Sequence, residues 1–493
     1  MDMIDKNIIQ KKAEELIARY QIPSVSITWY HGGVYETVTA GYKDVEKQIP
    51  ADADTMYSIG SCTKSFTAAA IALLCDRGQL NLDDPVRKYV PEFEMYDSYV
   101  AEHLTIRDML CHRCGLPRHE LAWYSRLSEY SEAQMLDMLA YLKPNAPFRY
   151  TWQYQNVMYT LAGIVISRVS GLSWEEFVQE NLIAPLEMGP ISYDAPQFET
   201  FETRAQGYRF FEEPAPAGNR PVPNSTLYTM KPAGSISMSS VQLAKWDAFL
   251  LNKGMAGGKR ILSEEMCSQL FTPQMLVSDP IIEPLKGYLN LSTYGLGFFV
   301  ENYRGVQIAQ HGGHIDGFIA DQCFVPDKDF ACTVLTNSEH PFGARVMRYI
   351  LLDAFLDLEE VDWIDRFYTH RQNMLQAQAD ARTDEDTIRS LSAAYPCPVD
   401  LASICGTYVD GGYGEITIEQ EDGGLRLQLG TLTLHGVHLR TQFFLFTEPH
   451  VLPGEELEAE VQYDRNGNVL AFLVAMEPTS DQKIRFVKKE AAL

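Results

Sequence analysis

The sequence predicts an α/β (α+β) chain: an antiparallel sheet flanked by helices, with a helical lobe inserted between its strands, followed by a separate all-β, barrel-like domain. Three observations carry this reading. Apolar runs of strand length lie near the start of the chain, Val25 to Tyr30 and Val34 to Tyr42, and return at Tyr294 to Tyr303, Val306 to Gln310, Phe318 to Val325 and Phe330 to Thr336. Between these groups, from Leu104 to about Leu250, the apolar spacing is mostly helical. From Ile404 onward apolar residues alternate (Ile416 and Ile418; Leu425, Leu427 and Leu429; Leu432 and Leu434), with Gly-Gly and Asn-Gly turn signals between the runs. Strands at both ends of a helical stretch imply one sheet assembled from distant segments, and the terminal alternation implies a small barrel or sandwich.

Taken in order, the first element is a helix, because Ile8, Ile9, Ala13, Leu16 and Ile17 recur at helical spacing. The two strands that follow meet at His31-Gly-Gly33, which reads as a hairpin turn. A strong helix runs from about Cys62 to Arg77, with Phe66, Ala69, Ala70, Leu73 and Leu74 on its buried face and Gly78 stopping it. The stretch Ala195 to Pro232, rich in Pro, Gly, Phe and Tyr, is long enough to read as a loop that covers a site. A helix is expected from about Pro341 to Leu358, and a charged, Gln/Ala-rich helical stretch from about Asp365 to Ser392. The expected organisation is a catalytic domain over 1–362, a helical linker over 363–395 and an all-β domain over 396–493.

Composition narrows the function. A chain of 493 residues, 46% hydrophobic, can bury a large core. Its 41 Lys and Arg against 66 Asp and Glu give a formal charge of −25, and no Lys/Arg-rich block offsets it, which argues against nucleic acid as a partner. The N-terminus lacks an apolar core of signal-peptide length, and Thr67 to Cys75 is too short to span a bilayer, so a cytoplasmic location and no membrane partner are expected. Nine scattered cysteines fit a reducing compartment. Cys111-His-Arg-Cys114 lacks both a second pair at zinc-ligand spacing and a redox-fold context, so it reads as ordinary buried thiols; no metal and no cofactor are expected.

Three short motifs carry chemistry. Ser61-Cys-Thr-Lys64 opens the long helix, where the serine hydroxyl lies near unpaired backbone N–H groups and Lys64 comes round to the same face. A base beside the hydroxyl is what a serine nucleophile needs. Ser480-Asp-Gln-Lys483 fits the same pattern but lies in a turn between strands. Tyr154-Gln-Asn156 is followed at once by a helical run; its phenol is a candidate proton acceptor and its amide can hold both lysine and substrate. Tyr288-Leu-Asn290 repeats the spacing without that helix. In His311-Gly-Gly313, placed at a strand end, small residues let a substrate approach, and the N–H of His314 joins that of Ser61 as a candidate pair of oxyanion donors. Taken singly, each motif has a plainer reading: a helix cap, a core tyrosine with a loop asparagine, a turn.

Together and in this order, the three motifs make the chain resemble the serine β-lactamase-like and penicillin-binding-protein-like hydrolases, in the branch of class C β-lactamases, D-aminopeptidases and esterases. The resemblance covers about residues 10 to 358. It includes Leu104-Thr-Ile-Arg-Asp-Met-Leu-Cys-His-Arg-Cys-Gly-Leu-Pro117 and Ala233-Gly-Ser-Ile-Ser-Met-Ser-Ser240. It implies a β-lactamase/transpeptidase-like fold with a C-terminal barrel-like (lipocalin-like) domain that closes the site, assembles subunits into a homo-oligomer, or adds stability. It also implies a covalent acyl-enzyme at Ser61, proton traffic shared by Lys64 and Tyr154, positioning of the substrate amide by Asn156, and an oxyanion hole from the N–H groups of Ser61 and His314; His311 is a further catalytic candidate, bridging by hydrogen bond to Lys64, Tyr154 or the substrate, and Gly313 a substrate-binding one. Many relatives have lysine where this chain has His311. A permanent cation suits a substrate carboxylate, and a largely neutral imidazole suits it less, which points away from β-lactams and cell-wall stem peptides. The expected activity is hydrolysis of a small-molecule or short-peptide substrate, an amide or peptide with D-amino acids among the candidates. The alternatives are a carboxylesterase of the same chemistry and, from another class, a self-assembling scaffold or ligand sensor of weak turnover.

Overall fold

A computed structural model describes residues 4–125, 130–211, 218–224, 230–381, 383–448, 452–477, 480 and 482–489. The chain divides into two compact units that do not follow chain order. One comprises Met1–Pro91, Glu102–Cys114 and Asn156–His370; the other comprises Glu92–Ala101, Gly115–Gln155 and Arg371–Leu493. Among the described residues no single helix is long and apolar enough to cross a membrane.

The first unit is built on a nine-stranded antiparallel sheet. Its long neighbours run Leu289–Tyr294, Phe299–Tyr303, Val306–Ile315, Phe318–Val325, Phe330–Thr336, Ser24–His31 and Val34–Asp44, so the two ends of the unit meet where Ser24–His31 pairs with Phe330–Thr336. The sheet is thus assembled from distant segments, as the sequence requires. Side chains alternate across it. One face carries Val25, Ile27, Val334 and Cys323 against the helices Lys6–Tyr20 and Gly343–Leu356, which contribute Ile9, Leu16, Val346 and Leu352. Each such aliphatic side chain contributes roughly 1.5–3 kcal/mol on burial. In the first helix Ile9, Ala13, Leu16 and Tyr20 form the buried stripe, whereas Ile8 is largely exposed.

The other face is covered by the helix Ser240–Leu251 and is unusually hydroxylic. Ser26 and Thr28 hydrogen-bond the Ser240 hydroxyl at 2.8 Å each, and Thr333 donates to the Ser240 carbonyl at 2.9 Å. On this side the helix Thr63–Asp76 is buried along nearly its whole length, from Thr63 to Leu74.

Two expectations shift in detail. The run Tyr294 to Tyr303 is not one strand: Gly295–Phe298 turns the chain, with Gly297 at φ +86°, so a hairpin replaces it. The run Val306 to Gln310 continues through His311-Gly-Gly313 to Ile315, because pairing with Phe318–Val325 holds the glycines extended. The segment 195–232 also holds structure of its own, a short helix Ala195–Phe198 and a hairpin of Tyr208–Phe211 with Gly218–Pro221; 212–217 and 225–229 lie outside the described residues.

In the second unit, eight antiparallel strands from Gly406–Asp410 to Ile484–Lys488 close into a barrel, with the first strand paired to the last. Leu425, Leu427, Leu429 and Phe472 point inward, which is the alternation seen in the sequence. Two helices, Trp363–Ala381 and Glu385–Ala394, precede the barrel, and the first begins within the first unit, where Trp363, Ile364 and Phe367 join its core.

A buried ion pair underlies the site strands. One Nη of Arg348, itself 1% exposed, donates to both carboxylate oxygens of Asp321 at 3.0 Å and to Gln310 at 2.9 Å, and the other donates to the Tyr349 hydroxyl at 3.0 Å. Replacing Arg348→Met strands the Asp321 carboxylate in the core and is expected to cost about 3–5 kcal/mol, read as a lower denaturant midpoint; the double change Asp321→Asn/Arg348→Met should recover a large part of that loss.

Candidate active site

The local fold around Ser61 is set by two backbones that touch. The turn Gly60–Cys62 leads into the helix Thr63–Asp76, and the strand Val306–Ile315 passes directly against it. Gly60 has φ +50°, and a Cβ there would sit 2.7 Å from the His314 nitrogen; a Cβ on Gly313 would sit 1.8 Å from the Ile59 carbonyl oxygen. Only glycine fits either place. Cys62 adds a third tie, its thiol donating to the His311 carbonyl at 3.2 Å. The backbone nitrogens of Ser61 and His314 are therefore brought onto neighbouring chains. The Ser61 N–H belongs to a first turn, whose donors lack intrahelical partners.

Helix geometry delivers Lys64. Three residues after Ser61, its fully buried ammonium donates to the Ser61 hydroxyl at 3.0 Å and to the Ala233 carbonyl at 2.7 Å, 5.4 Å from the Tyr159 ring. The segment around Ala233 is held to the same helix by Thr67, which donates to the Pro232 carbonyl at 2.7 Å, and by Thr63, which accepts from the Ile236 N–H at 3.1 Å. Ser61 itself is only half-buried, so its hydroxyl remains reachable. Asn156 begins the helix Asn156–Ser170, which packs on the helix Thr63–Asp76; its Oδ1 is buried and accepts no hydrogen bond from the described residues.

His311 has a fixed tautomer. Its Nδ1 lies 2.6 Å from the Gly312 carbonyl, which can only accept, so Nδ1 carries the proton and Nε2 accepts from the Tyr294 hydroxyl at 3.1 Å. Burial, then the nearby Lys64 charge, push the imidazole down to about 3 from an ordinary value of 6.5. His311 is therefore a neutral group here. Tyr294 also packs its ring 4.8 Å from that of His112, which lies 5.3 Å from Tyr159. Tyr294 and the Ala233 carbonyl were not legible as site residues: the tyrosine sits at a strand end among apolar neighbours, and the carbonyl belongs to a motif recognisable only as a loop-to-helix join.

Ser61, Lys64, Asn156, His311, Gly313 and His314 lie in the first unit, and Tyr154 in the second. Around Tyr154, Trp152 meets its ring edge-on at 6.1 Å and the Arg118 guanidinium lies 5.1 Å from its centroid. The duplicate motifs take ordinary places. His31-Gly-Gly33 is the hairpin turn, with Gly32 and Gly33 at φ +57° and +84° and His31 Nδ1 3.0 Å from the Asp329 carbonyl. Tyr288 packs its ring 4.9 Å from that of Trp363, and Asn290 is exposed. Ser480 lies between the last two barrel strands, away from any helix start. Cys111 and Cys114 are buried thiols.

Residues 9–355 match the family described as Beta-lactamase. The unguisins hydrolase ungD' of Aspergillus campestris is 27% identical over 99% of this chain and 92% of its own. Among solved structures, the octameric penicillin-binding protein homologue from Pyrococcus abyssi aligns over 98% of this chain and 100% of its own, with a TM-score of 0.62 and 22% identity. The D-amino acid amidase from Ochrobactrum anthropi SV3, complexed with L-phenylalanine amide, covers 71% of this chain and 98% of its own, with a TM-score of 0.57 and 23% identity.

The neutral imidazole gives a direct expectation. Between about 3 and 6.5 the unfolded chain protonates His311 and the folded one does not, so the unfolded state binds more protons and this residue's contribution to stability falls as pH drops through that window. Nitrogen NMR should show a neutral, Nδ1-protonated His311 from pH 5 to pH 8, and the loss of stability on acidification should be smaller in His311→Gln.

Proposed function

Because the chain belongs to the β-lactamase family of serine hydrolases, we propose that it cleaves small peptides or amides, including those of D-amino acids, through a covalent acyl-enzyme at Ser61. The observation that carries this reading is the 3.0 Å hydrogen bond between the buried Lys64 amine and the half-buried Ser61 hydroxyl, set beside the Gly313-His314 backbone.

In the proposed reaction the Ser61 oxygen attacks the substrate carbonyl carbon, and its proton passes to the Lys64–Tyr154 pair. The negative charge that develops on the carbonyl oxygen is held by the N–H groups of Ser61 and His314. Asn156 Oδ1, a buried acceptor with no donor among the described residues, suits a substrate amide N–H. The C–N bond then breaks, the leaving amine takes up the proton, and water attacks the acyl-serine to release acid and restore Ser61. The neutral His311 orders the strand without offering a cation, which favours substrates that present no carboxylate at that place. The Aspergillus relative, named as a hydrolase of unguisins, and the amidase neighbour both accord with amide cleavage. The Pyrococcus neighbour is octameric, and self-association of this chain belongs to the same reading.

Intact-protein mass after treatment with a fluorophosphonate is expected to show one adduct, lost in Ser61→Ala and retained in Ser480→Ala. His311→Ala should slow acylation and His31→Ala should not; equal effects would sink the assignment of His311. Turnover of D-alanine amides against short-chain nitrophenyl esters then separates amidase from carboxylesterase. Absence of an adduct, with light scattering showing a stable assembly, would favour a scaffold.

A further inference from the structure

The second unit joins two stretches that lie far apart in sequence: Gly115–Gln155, which carries Tyr154, and the barrel. What joins them is polar, buried and specific. The backbone N–H of His119 donates to a carboxylate oxygen of Glu477 at 2.6 Å. The His119 ring bridges on both sides. Its Nε2 lies 3.0 Å from the Lys143 carbonyl, so Nε2 is the protonated nitrogen, and Nδ1 accepts from the Tyr413 hydroxyl at 2.8 Å. His119, Tyr413 and Glu477 are each no more than 2% exposed. Burial keeps the Tyr413 phenol protonated and lowers the imidazole, which accords with this donor order.

His119 also has φ +46°, a left-handed conformation costly for a residue with a side chain, and one that persists where surrounding contacts over-determine it. The next residue back, Arg118, puts its guanidinium 5.1 Å from the centre of the Tyr154 ring and pairs with Glu120. Pro117 completes the link: its carbonyl accepts from the buried Gln155 side chain at 2.7 Å, one residue from Tyr154. The barrel's own turn fits the same stretch closely. A Cβ on Gly411 would fall 2.4 Å from the Tyr141 ring, and Asp410 braces the turn by accepting from the Gly412 and Tyr413 N–H groups at 2.8 and 3.0 Å.

We infer that the C-terminal barrel sets the position of Tyr154: Tyr413 and Glu477 fix His119, and His119 fixes the Pro117-Arg118 segment against the Tyr154 ring and Gln155. Tyr413 and Glu477 are thus positioning residues for proton transfer, a role that rests on the acyl-serine reaction proposed above. Neither touches substrate. Their loss acts on the chemical step and spares binding.

The test uses the full chain and four variants: Tyr413→Phe, Glu477→Ala, Glu477→Gln, and Ser480→Ala as a barrel control. Two readouts are taken, steady-state and fluorophosphonate acylation kinetics, and hydrogen exchange of peptides spanning 115–119 and 150–156. The expected result is a fall in kcat and acylation rate of roughly tenfold or more at unchanged KM in Tyr413→Phe and Glu477→Ala. Glu477→Gln, which keeps an acceptor for the His119 N–H, should recover most of it, and exchange should quicken in both peptides. Folded Tyr413→Phe and Glu477→Ala proteins with kinetics and exchange within twofold of the unaltered chain, or Glu477→Gln as impaired as Glu477→Ala, would overturn the inference. If the unaltered chain forms no adduct, the acyl-serine reading fails separately. Exchange then decides alone, with faster exchange at 150–156 supporting the barrel's hold on Tyr154 and unchanged exchange overturning it.

Discussion

The contact between the Gly60–Cys62 turn and the Gly313–His314 strand is the constraint on which the site depends. Every atom assigned a part in holding charge near Ser61 is positioned by it. The backbones bearing the Ser61 and His314 nitrogens approach closely because no Cβ separates the two chains, with a substituent on Gly313 falling 1.8 Å from the Ile59 oxygen. The thiol of Cys62, donating to the His311 carbonyl, fixes the turn along the strand. Backbone donors held this way need no reorganisation when charge develops, which is where such sites gain over water. Arg348 and Asp321 serve the same contact from the opposite face of the sheet. Gln310, bonded to Arg348, precedes His311, and Asp321 pairs across the sheet with Gly312.

Electrostatics around this contact follow from a neutral group at position 311. The second positive charge is absent by construction, since His311 is neutral and its two nitrogens engage Gly312 and Tyr294. A second cation this close to Lys64 would repel it within a buried space, where charges interact strongly. The neutral imidazole removes that conflict and leaves Lys64 to bond Ser61 and Ala233. A group brought against His311 therefore meets a neutral imidazole and not a cation.

Much of the frame was legible because it is local. The helix after Ser61 declares itself by its small-residue face and its stop at Gly78, and the barrel by alternation alone. The failures are informative in the same terms. His311-Gly-Gly313 is expected at a strand end, yet the strand continues through it to Ile315, because it stays paired with Phe318–Val325 and the Ile59–Ser61 backbone leaves no room for a side chain at Gly313. The same triplet at 31–33 does turn, with both glycines at positive φ and no third backbone pressing on it. Tyr294 escaped notice because its part depends on a hydrogen bond to a residue 17 positions away. The grouping of 115–155 with the barrel escaped for a stronger reason, since the residues that make it, His119 with Tyr413 and Glu477, are 294 and 358 positions apart.

That last separation has a physical consequence for how the chain becomes active. A contact spanning more than 300 residues forms only after the loop between its ends is closed, and the entropy of that closure is repaid by a few buried hydrogen bonds. Unpaired, His119, Tyr413 and Glu477 would each be a polar group stranded in a core; paired, they satisfy one another and hold a left-handed residue in place. Such a network is an all-or-none device. It makes the segment bearing Tyr154 complete only when the last strands of the barrel have closed, because Glu477 lies beyond the seventh of the eight strands. A chain that ended before Glu477 would keep Ser61, Lys64 and their helix, which belong to the first unit. It would lose the acceptor that holds the His119 backbone. The helix that carries Ser61 and Lys64 is thus laid down early in the sequence, whereas the network that holds the segment before Tyr154 is finished late, with Glu477.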